Sequence, residues 1–314
     1  MLHGNWLSKS RQAGELLSRG QFERSIEIYS EVAKVFPLLP EVHNNLGVAL
    51  RASGEINQAI KSYQKAVKLD PNYMIARKNL TRALWQIEKI EEALSNYIFM
   101  LKKSEVDSQV ISEAVHSISH IRFNKPSAKA RNLLLLLFSL QNVEYQRLAF
   151  PAIKLIEMAG RFEKIPDLNK ENNYENIRYI RSIADSLRDQ LLISLLTWTI
   201  IPSVSFEKWA VVARRELLFA LNRGEAISIN AETLWALTLQ FQLTEFVQGM
   251  ASSEISLARQ YKDCVDLDNI KSLAIIAMYI PLNEIKSDVV FWDSIHKNLN
   301  TPNSLKLSIE REVF

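Results

Sequence analysis

The sequence predicts an all-α protein, an α-solenoid of stacked antiparallel helix pairs followed by a further helical domain. Three observations predict this fold. Marker residues recur 34 positions apart near the start of the chain, as with Tyr29, Tyr63 and Tyr97. Apolar residues between these markers follow the i, i+3, i+4, i+7 spacing of a helix with one buried face. Alternation of apolar and polar residues, which is typical of a half-buried strand, persists nowhere in the chain.

Each 34-residue unit is predicted to be two helices joined at a glycine. Gly20 and Gly54 lie one step apart between the two helices, where a turn with positive φ favours a residue without Cβ. Pro37 and Pro71 are also one step apart. They end the second helix because proline has no N–H with which to continue the hydrogen-bond ladder.

The second unit carries the most complete set of marks. Residues 44–72 resemble a tetratricopeptide repeat (TPR), matching it at Leu46, Gly47, Gly54, Ala59, Tyr63, Ala66 and Pro71. The neighbouring units match in part, since Ala13 and Thr81 stand at the position of Gly47. The resemblance implies three TPR-like repeats within residues 1–105, with a concave face that binds protein or peptide and serves as a scaffold.

Helical periodicity continues after residue 106 without the 34-residue marks. Helices are predicted over 108–122, 128–140, 145–159, 176–187, 189–200, 205–222, 231–248, 253–265, 268–280 and 284–299. The predicted N-caps are Ser205, Asn230 and Ser253, and the predicted C-terminal stops are Gly160, Gly224 and Gly249. Residues 106–314 are therefore expected to form an all-helical domain, with an internal linker within 161–175.

Part of this second half is similar to the helical region of bacterial methyltransferases that carry TPRs before their catalytic domain. The similar segments are residues 235–247, 274–285 and 309–314. The match is partial, because Thr244, Glu245 and Phe246 stand where that family has Asn-Glu-Tyr. In that family the cofactor-binding domain begins just after the position of Phe314. The resemblance therefore implies that the catalytic domain is absent from this chain.

Composition and charge exclude several classes of protein. Hydrophobic residues make up 47% of the 314 residues and charged residues 23%, which excludes a low-complexity chain. Lys and Arg exceed Asp and Glu by only three, so neither a nucleic-acid arm nor an acidic tail is indicated. The single cysteine, Cys264, excludes an internal disulfide. With no signal peptide and no apolar run of about 20 residues, we expect a cytoplasmic protein without a membrane partner.

No residue pattern indicates a catalytic, cofactor or metal site. The eight glycines form neither the G-x-G turn that approaches a nucleoside cofactor nor a phosphate-binding P-loop. His116 and His120 are four residues apart, a spacing that can bring two imidazoles to one metal, but no third ligand accompanies them. Asp263 and Asp266 disfavour a reactive thiolate at Cys264. We therefore expect no metal, no cofactor and no enzymatic activity.

The candidate binding site is the groove that the first helix of each unit is expected to line. Asn45 and Asn79 occupy equivalent positions, and their amides can both donate to and accept from a peptide backbone. This placement resembles the asparagine ladder with which TPR proteins clamp a peptide. Nearby cations favour an acidic or carboxylate-bearing segment. The candidate groove residues are Asn45, Asn79, Arg82, Arg51, Lys78 and Val48.

Two functions remain open at this point. The first is a protein–protein interaction scaffold that binds a peptide or protein segment in the TPR groove. The second is the recognition part of a TPR-containing S-adenosylmethionine-dependent methyltransferase. The groove residues could also be ordinary solvated polar groups. A nucleic-acid partner is disfavoured, because residues 1–105 hold only 15 basic against 11 acidic groups and form no dense basic stripe.

Overall fold

The computed structural model describes residues 2–103, 105–162, 177–244, 249–264 and 269–285. Every regular element within these ranges is a helix, so the predicted all-α class is confirmed. The chain divides into two compact units, residues 1–114 and 115–314. The predicted domain boundary after residue 105 stays a prediction, and most of the predicted linker lies outside the described residues.

The first unit contains three helix pairs. They are α1 (Leu2–Ser18) with α2 (Phe22–Val35), α3 (Pro40–Ala52) with α4 (Ile56–Leu69), and α5 (Met74–Gln86) with α6 (Ile90–Leu101). The starts of α3 and α5 are 34 residues apart, and α7 (Ser108–Ser119) begins 34 residues after α5. The repeat length therefore persists for one helix beyond the residues that mark it in the sequence.

The turn inside each helix pair uses the left-handed backbone conformation. Gly20 has φ +76° and Gly54 has φ +89°, as the sequence predicted. The equivalent residue of the third pair is Glu88, with φ +59°. A side chain with a Cβ is strained in this region, so the third turn keeps the geometry of the first two at an energetic cost.

The second helix pair is held together by a close contact between Tyr63 and Gly47. Tyr63 is fully buried among Leu50, Ala59 and Leu84. A Cβ on Gly47 would lie 2.6 Å from Cε1 of the tyrosine ring, which is closer than real Cβ atoms come to a neighbour. The missing side chain therefore allows α3 and α4 to approach each other.

The second unit is also helical throughout its described residues. Its helices are α8 (Ala128–Phe138), α9 (Ala149–Met158), α10 (Ile177–Ser186), α11 (Gln190–Trp198), α12 (Val204–Asn222), α13 (Ala231–Leu243), α14 (Ser252–Cys264), α15 (Ile270–Ala277) and α16 (Leu282–Ile285), with a 3₁₀ turn at Tyr145–Leu148. The leucine-rich α8 and α11 are buried core helices, and no helix in the described ranges has the length and apolarity to cross a bilayer.

Helix α13 joins its neighbours through buried amides. The Gln240 side chain donates to the carbonyls of Leu196 and Thr199, each at 2.8 Å, at the C-terminal end of α11. The Gln242 side chain donates to the carbonyls of Ala277 (2.6 Å) and Ile280 (3.1 Å) at the end of α15. Carbonyls at a helix end have no partner within the helix. The two glutamines of α13 therefore supply the missing hydrogen bonds at the ends of α11 and α15.

Two of the three predicted N-caps are wrong. Asn230 does cap α13, since its side chain accepts a bond from the Thr233 N–H at 2.8 Å. Helix α12, however, begins before Ser205 and is capped by Ser203, whose hydroxyl accepts from the Phe206 N–H at 3.1 Å. Ser253 lies inside α14. A cap residue must have non-helical φ and ψ. Those angles depend on the path of the preceding loop, which the residue types alone do not give.

One of the predicted helix stops is also wrong. Gly160 and Gly224 follow α9 and α12 with φ +70° and +68°, the conformation that a terminating glycine adopts. Gly249 does not end α13, because that helix finishes at Leu243 with Thr244 as its C-cap. The apolar periodicity that extends beyond Leu243 does not mark the end of the helix.

The Tyr63–Gly47 contact generates a prediction about stability. We expect Gly47→Ala to lower the free energy of unfolding by about 1–3 kcal/mol, because the added methyl group overlaps a ring that cannot move away. Urea denaturation measures this change. Gly14→Ala is the matched control on α1, since its Cβ would meet only the Tyr29 hydroxyl, at 3.6 Å. Equal losses in the two variants would contradict the proposed contact.

The strained turn at Glu88 generates a second prediction. We expect Glu88→Gly to raise the free energy of unfolding by about 1 kcal/mol, because glycine adopts positive φ without the clash of a Cβ. Glu88→Ala removes the same carboxylate but keeps the Cβ, so it should give no such gain. A thermal or urea melt of both variants separates backbone strain from charge, and an equal gain in both would refute the strain.

Candidate functional site

The candidate site is the row formed by the first helices of the pairs, named here the first-helix face. All six groove residues predicted from the sequence lie on two of these helices, and each is half-buried. Helix α3 carries Asn45, Val48 and Arg51, and helix α5 carries Lys78, Asn79 and Arg82. The 34-residue step places Asn45 and Asn79 at the same position of successive first helices.

The asparagine side chains form a chain of hydrogen bonds between α3 and α5. The Asn79 amide donates to Oδ1 of Asn44 at 2.9 Å, and the Asn44 amide donates to Oδ1 of Asn45 at 3.2 Å. Asn44 is buried, with 4% of its surface exposed. Within the described residues, the Asn45 N–H groups and the Asn79 carbonyl are left without a partner. A donor and an acceptor of fixed orientation are thus available on this face.

Two of the three predicted groove cations are already paired with carboxylates. Lys78 Nζ lies 2.5 Å from Asp107 Oδ2, and Arg82 Nη2 lies 2.5 Å from Glu113 Oε1. The bond from Lys78 holds the pKa of Asp107 below its usual value. The bond to Glu113 raises the pKa of Arg82. An acidic segment would therefore compete with the chain's own carboxylates at these two positions.

The remaining predicted groove residues differ in their surroundings. Arg51 has no ion pair with any residue that the structure describes, although its charge lies near the Tyr63 hydroxyl. Burial raises the pKa of Tyr63 to about 12, and the positive charge of Arg51 opposes that rise. Val48 packs against the core cluster around Tyr63, and so does Trp85, which follows Arg82 on α5. Both therefore have a packing role, whatever else they contact.

Sequence reasoning did not assign Asn44, Asp107 or Glu113 to the groove. Glu113 had a detectable signal, because it lies 34 residues after Asn79. The position shared by successive first helices is occupied by Arg11, Asn45, Asn79 and Glu113. Extending the 34-residue step past residue 105 would have found Glu113. Asn44 and Asp107 had no such signal, because nothing in a helical period shows which neighbouring side chains will meet.

The other candidate residues form no site within the described part of the chain. The rings of His116 and His120 are 4.4 Å apart, but Nδ1 of His120 lies 2.6 Å from the His116 carbonyl oxygen and the Arg147 guanidinium lies 3.3 Å from Nδ1 of His116. No cluster of three metal-ligating side chains occurs within the described residues. Cys264 is exposed, and Asp266 falls outside the described residues.

Comparison with known proteins identifies the repeat itself. The family model for the tetratricopeptide repeat matches residues 40–73, which contain α3 and α4. The comparison with curated proteins found no match. Among solved structures, the crystal structure of yeast Tom70 is similar with 10% identity and a TM-score of 0.33, covering 99% of this chain and 69% of that chain. At that score the likeness carries no argument, and the fold rests on the helices described above.

The asparagine chain generates a prediction about stability. We expect Asn44→Ala to lower the free energy of unfolding by about 1–2 kcal/mol, because it removes a buried amide that bonds both of its neighbours. Asn57→Ala, which removes an exposed amide from α4, should cost less than about 0.5 kcal/mol. Urea denaturation compares the two variants. Equal costs would show that the chain does not link α3 to α5.

Proposed function

We propose that this protein, which carries a tetratricopeptide repeat over residues 40–73, is a non-catalytic interaction scaffold that binds an extended protein segment along its first-helix face. The observation that carries the proposal is the pair of unused polar groups at equivalent positions, the Asn45 N–H groups and the Asn79 carbonyl. An extended peptide offers a carbonyl and an N–H at every residue, so it can bond both groups whatever its sequence.

The asparagine chain favours binding because it fixes these groups before a partner arrives. Asn44 is buried and bonds both Asn45 and Asn79. Side chains that are already ordered lose less conformational entropy on binding than free ones. Affinity for the backbone and selectivity for side chains would then come from different residues, the asparagines for the first and the surrounding cations for the second.

The charges of this face support a partner segment with at least one carboxylate. Arg51 is the cation of the predicted set without a carboxylate partner among the described residues, and its polar neighbour, the Tyr63 hydroxyl, is uncharged, so its charge can still pair with a carboxylate. Lys78 and Arg82 can join it only if Asp107 and Glu113 release them. Such binding would weaken with added salt, because exposed ion pairs are screened.

A second candidate function is the recognition part of a TPR-containing, S-adenosylmethionine-dependent methyltransferase. The observation that favours it is packing between two of the segments similar to that family. Gln242, in the first of these segments, donates to the Ala277 carbonyl in the second. An in-frame sequence for a glycine-rich strand–turn–helix after the codon for Phe314 would favour this function over a stand-alone scaffold.

The scaffold proposal is tested by quantitative pull-down from cell extract with three forms of the chain. We expect Asn45→Ala with Asn79→Ala to lose partners that the wild type recovers, because both polar groups are removed. The control, Asn57→Ala with Gln64→Ala, removes two exposed amides from α4 and should keep those partners. Purified partner and chain then give the affinity by calorimetry, with an expected loss of about tenfold or more in the first variant.

The result that would overturn the proposal is recovery of the same partners by both double variants. Glu113→Gln provides an independent check, because it releases Arg82 without touching the asparagines. An acidic partner segment should bind this variant more tightly than it binds the wild type. Unchanged affinity would show that the partner does not reach Arg82.

A further inference from the structure

A second surface of the repeats carries an open cavity that the proposed function does not use. The cavity has a volume of about 330 Å³ and opens between α2 and α4, with α3 as its floor. It lies among the second helices of the pairs, whereas the first-helix face is formed by α3 and α5. The polar residues that line it are Ser30, Lys34, His43, Lys61, Ser62 and Lys65.

The cavity is strongly basic, and its charges are not neutralised. Lys34, Lys61 and Lys65 are exposed, and none has an ion pair with a described residue. Helix α4 contains no Asp or Glu at all. Glu31, a carboxylate of α2, is paired with Lys9 at 3.1 Å. Three ammonium groups around one opening repel each other, so a bound anion would relieve that repulsion.

The walls and the floor of the cavity add uncharged polar groups. The half-buried hydroxyls of Ser30 and Ser62 make no hydrogen bond with the part of the chain that the structure describes. His43 is buried, with 4% exposed, and its Nε2 lies 2.8 Å from the Pro37 carbonyl oxygen. A carbonyl only accepts, so Nε2 carries the proton and the ring is fixed at the floor. Burial lowers the pKa of His43, and the charge of Lys65 lowers it further.

The equivalent positions of the next repeat, 34 residues later, hold side chains that pack against one another. The Arg77 guanidinium lies 3.6 Å from the centre of the Phe99 ring, and it donates to the Asn96 Oδ1 and the Pro71 carbonyl, both at 2.9 Å. A cation and an aromatic ring of the chain itself thus pack together there. Counting back by 34 residues, the positions of Arg77, Asn96 and Phe99 are held in the cavity by His43, Ser62 and Lys65. The cavity is therefore a departure from the repeat, because it lacks this guanidinium and this ring and has the Lys65 ammonium at the position of Phe99.

We propose that this cavity binds a phosphoryl group. Three ammonium groups and two hydroxyls match a tetrahedral dianion, which has several oxygens to accept hydrogen bonds and two charges to offset. A carboxylate has one charge and two oxygens, so it would leave most of these donors unused. The group could arrive as free phosphate or on a phosphorylated residue of a bound protein. The site stands on residues of α2, α3 and α4 that are not part of the asparagine chain, so it does not depend on the proposed function.

The experiment is a calorimetric titration of the full chain with inorganic phosphate at low ionic strength. We expect saturable binding of one phosphate per chain. Lys65→Gln should weaken it about tenfold, because one charge-assisted bond is lost. Lys68→Gln is the matched control, since Lys68 is an exposed, unpaired lysine of the same helix that does not line the cavity. It should change the affinity by less than about twofold. Unchanged melting temperatures would show that both variants fold.

Two further titrations identify the source and the place of the anion. A peptide with phosphoserine that binds more tightly than free phosphate indicates a protein partner, and equal affinity indicates phosphate itself. The ring protons of His43 should shift in the NMR spectrum as either one binds. The proposal is overturned if neither probe gives saturable binding, if acetate binds as well as phosphate, if Lys65→Gln and Lys68→Gln weaken binding equally, or if the His43 signals do not move.

Discussion

The contact of Tyr63 with Gly47 is the constraint on which the arrangement of the central repeat depends. A ring placed directly on the backbone of the facing helix fixes the separation of α3 and α4. That separation in turn sets where α3 presents Asn44 and Asn45 to α5. The flanking pairs keep the tyrosine as Tyr29 and Tyr97 but have Ala13 and Thr81 at the position of the glycine. In those pairs the ring therefore cannot lie on a bare backbone as Tyr63 does. The repeat that the family model matches, residues 40–73, contributes residues to both candidate sites.

Both candidate sites arise from small departures within a regular array. On the first-helix face, neighbouring helices present polar side chains that bond one another and leave a donor and an acceptor unused. Among the second helices, His43 and Lys65 stand where the next repeat has Arg77 packed on Phe99, and the cavity beside them is lined by three lysines. A solenoid tolerates such exchanges because each repeat contacts only its neighbours, so one repeat can change its surface without disturbing the others.

The second unit is stabilised by a different principle. Its helices lack a repeated spacing, and α13 connects them instead, with glutamine amides that bond the carbonyl ends of α11 and α15. These amide N–H groups satisfy carbonyls at two helix ends and tie three helices to one geometry, while Oε1 of Gln242 is buried without a hydrogen bond to a described residue. Asp189 acts in a similar way, since its buried carboxylate caps α11 and accepts bonds from Arg131 and Arg161. Polar groups therefore act together with the buried leucines in specifying the packing of this unit.

The sequence alone determined the helical class, the 34-residue step, the turns at Gly20 and Gly54 and the face that holds Asn45 and Asn79, because each follows from local conformation and periodicity. The tertiary structure alone decided which cations remain free. Lys78 and Arg82 meet Asp107 and Glu113 from 29 and 31 residues away, and the cavity between α2 and α4 depends on side-chain volumes across three helices. A helical period fixes the face on which a side chain lies. Which carboxylate it pairs with depends on distances between helices, and these are set only when the helices pack.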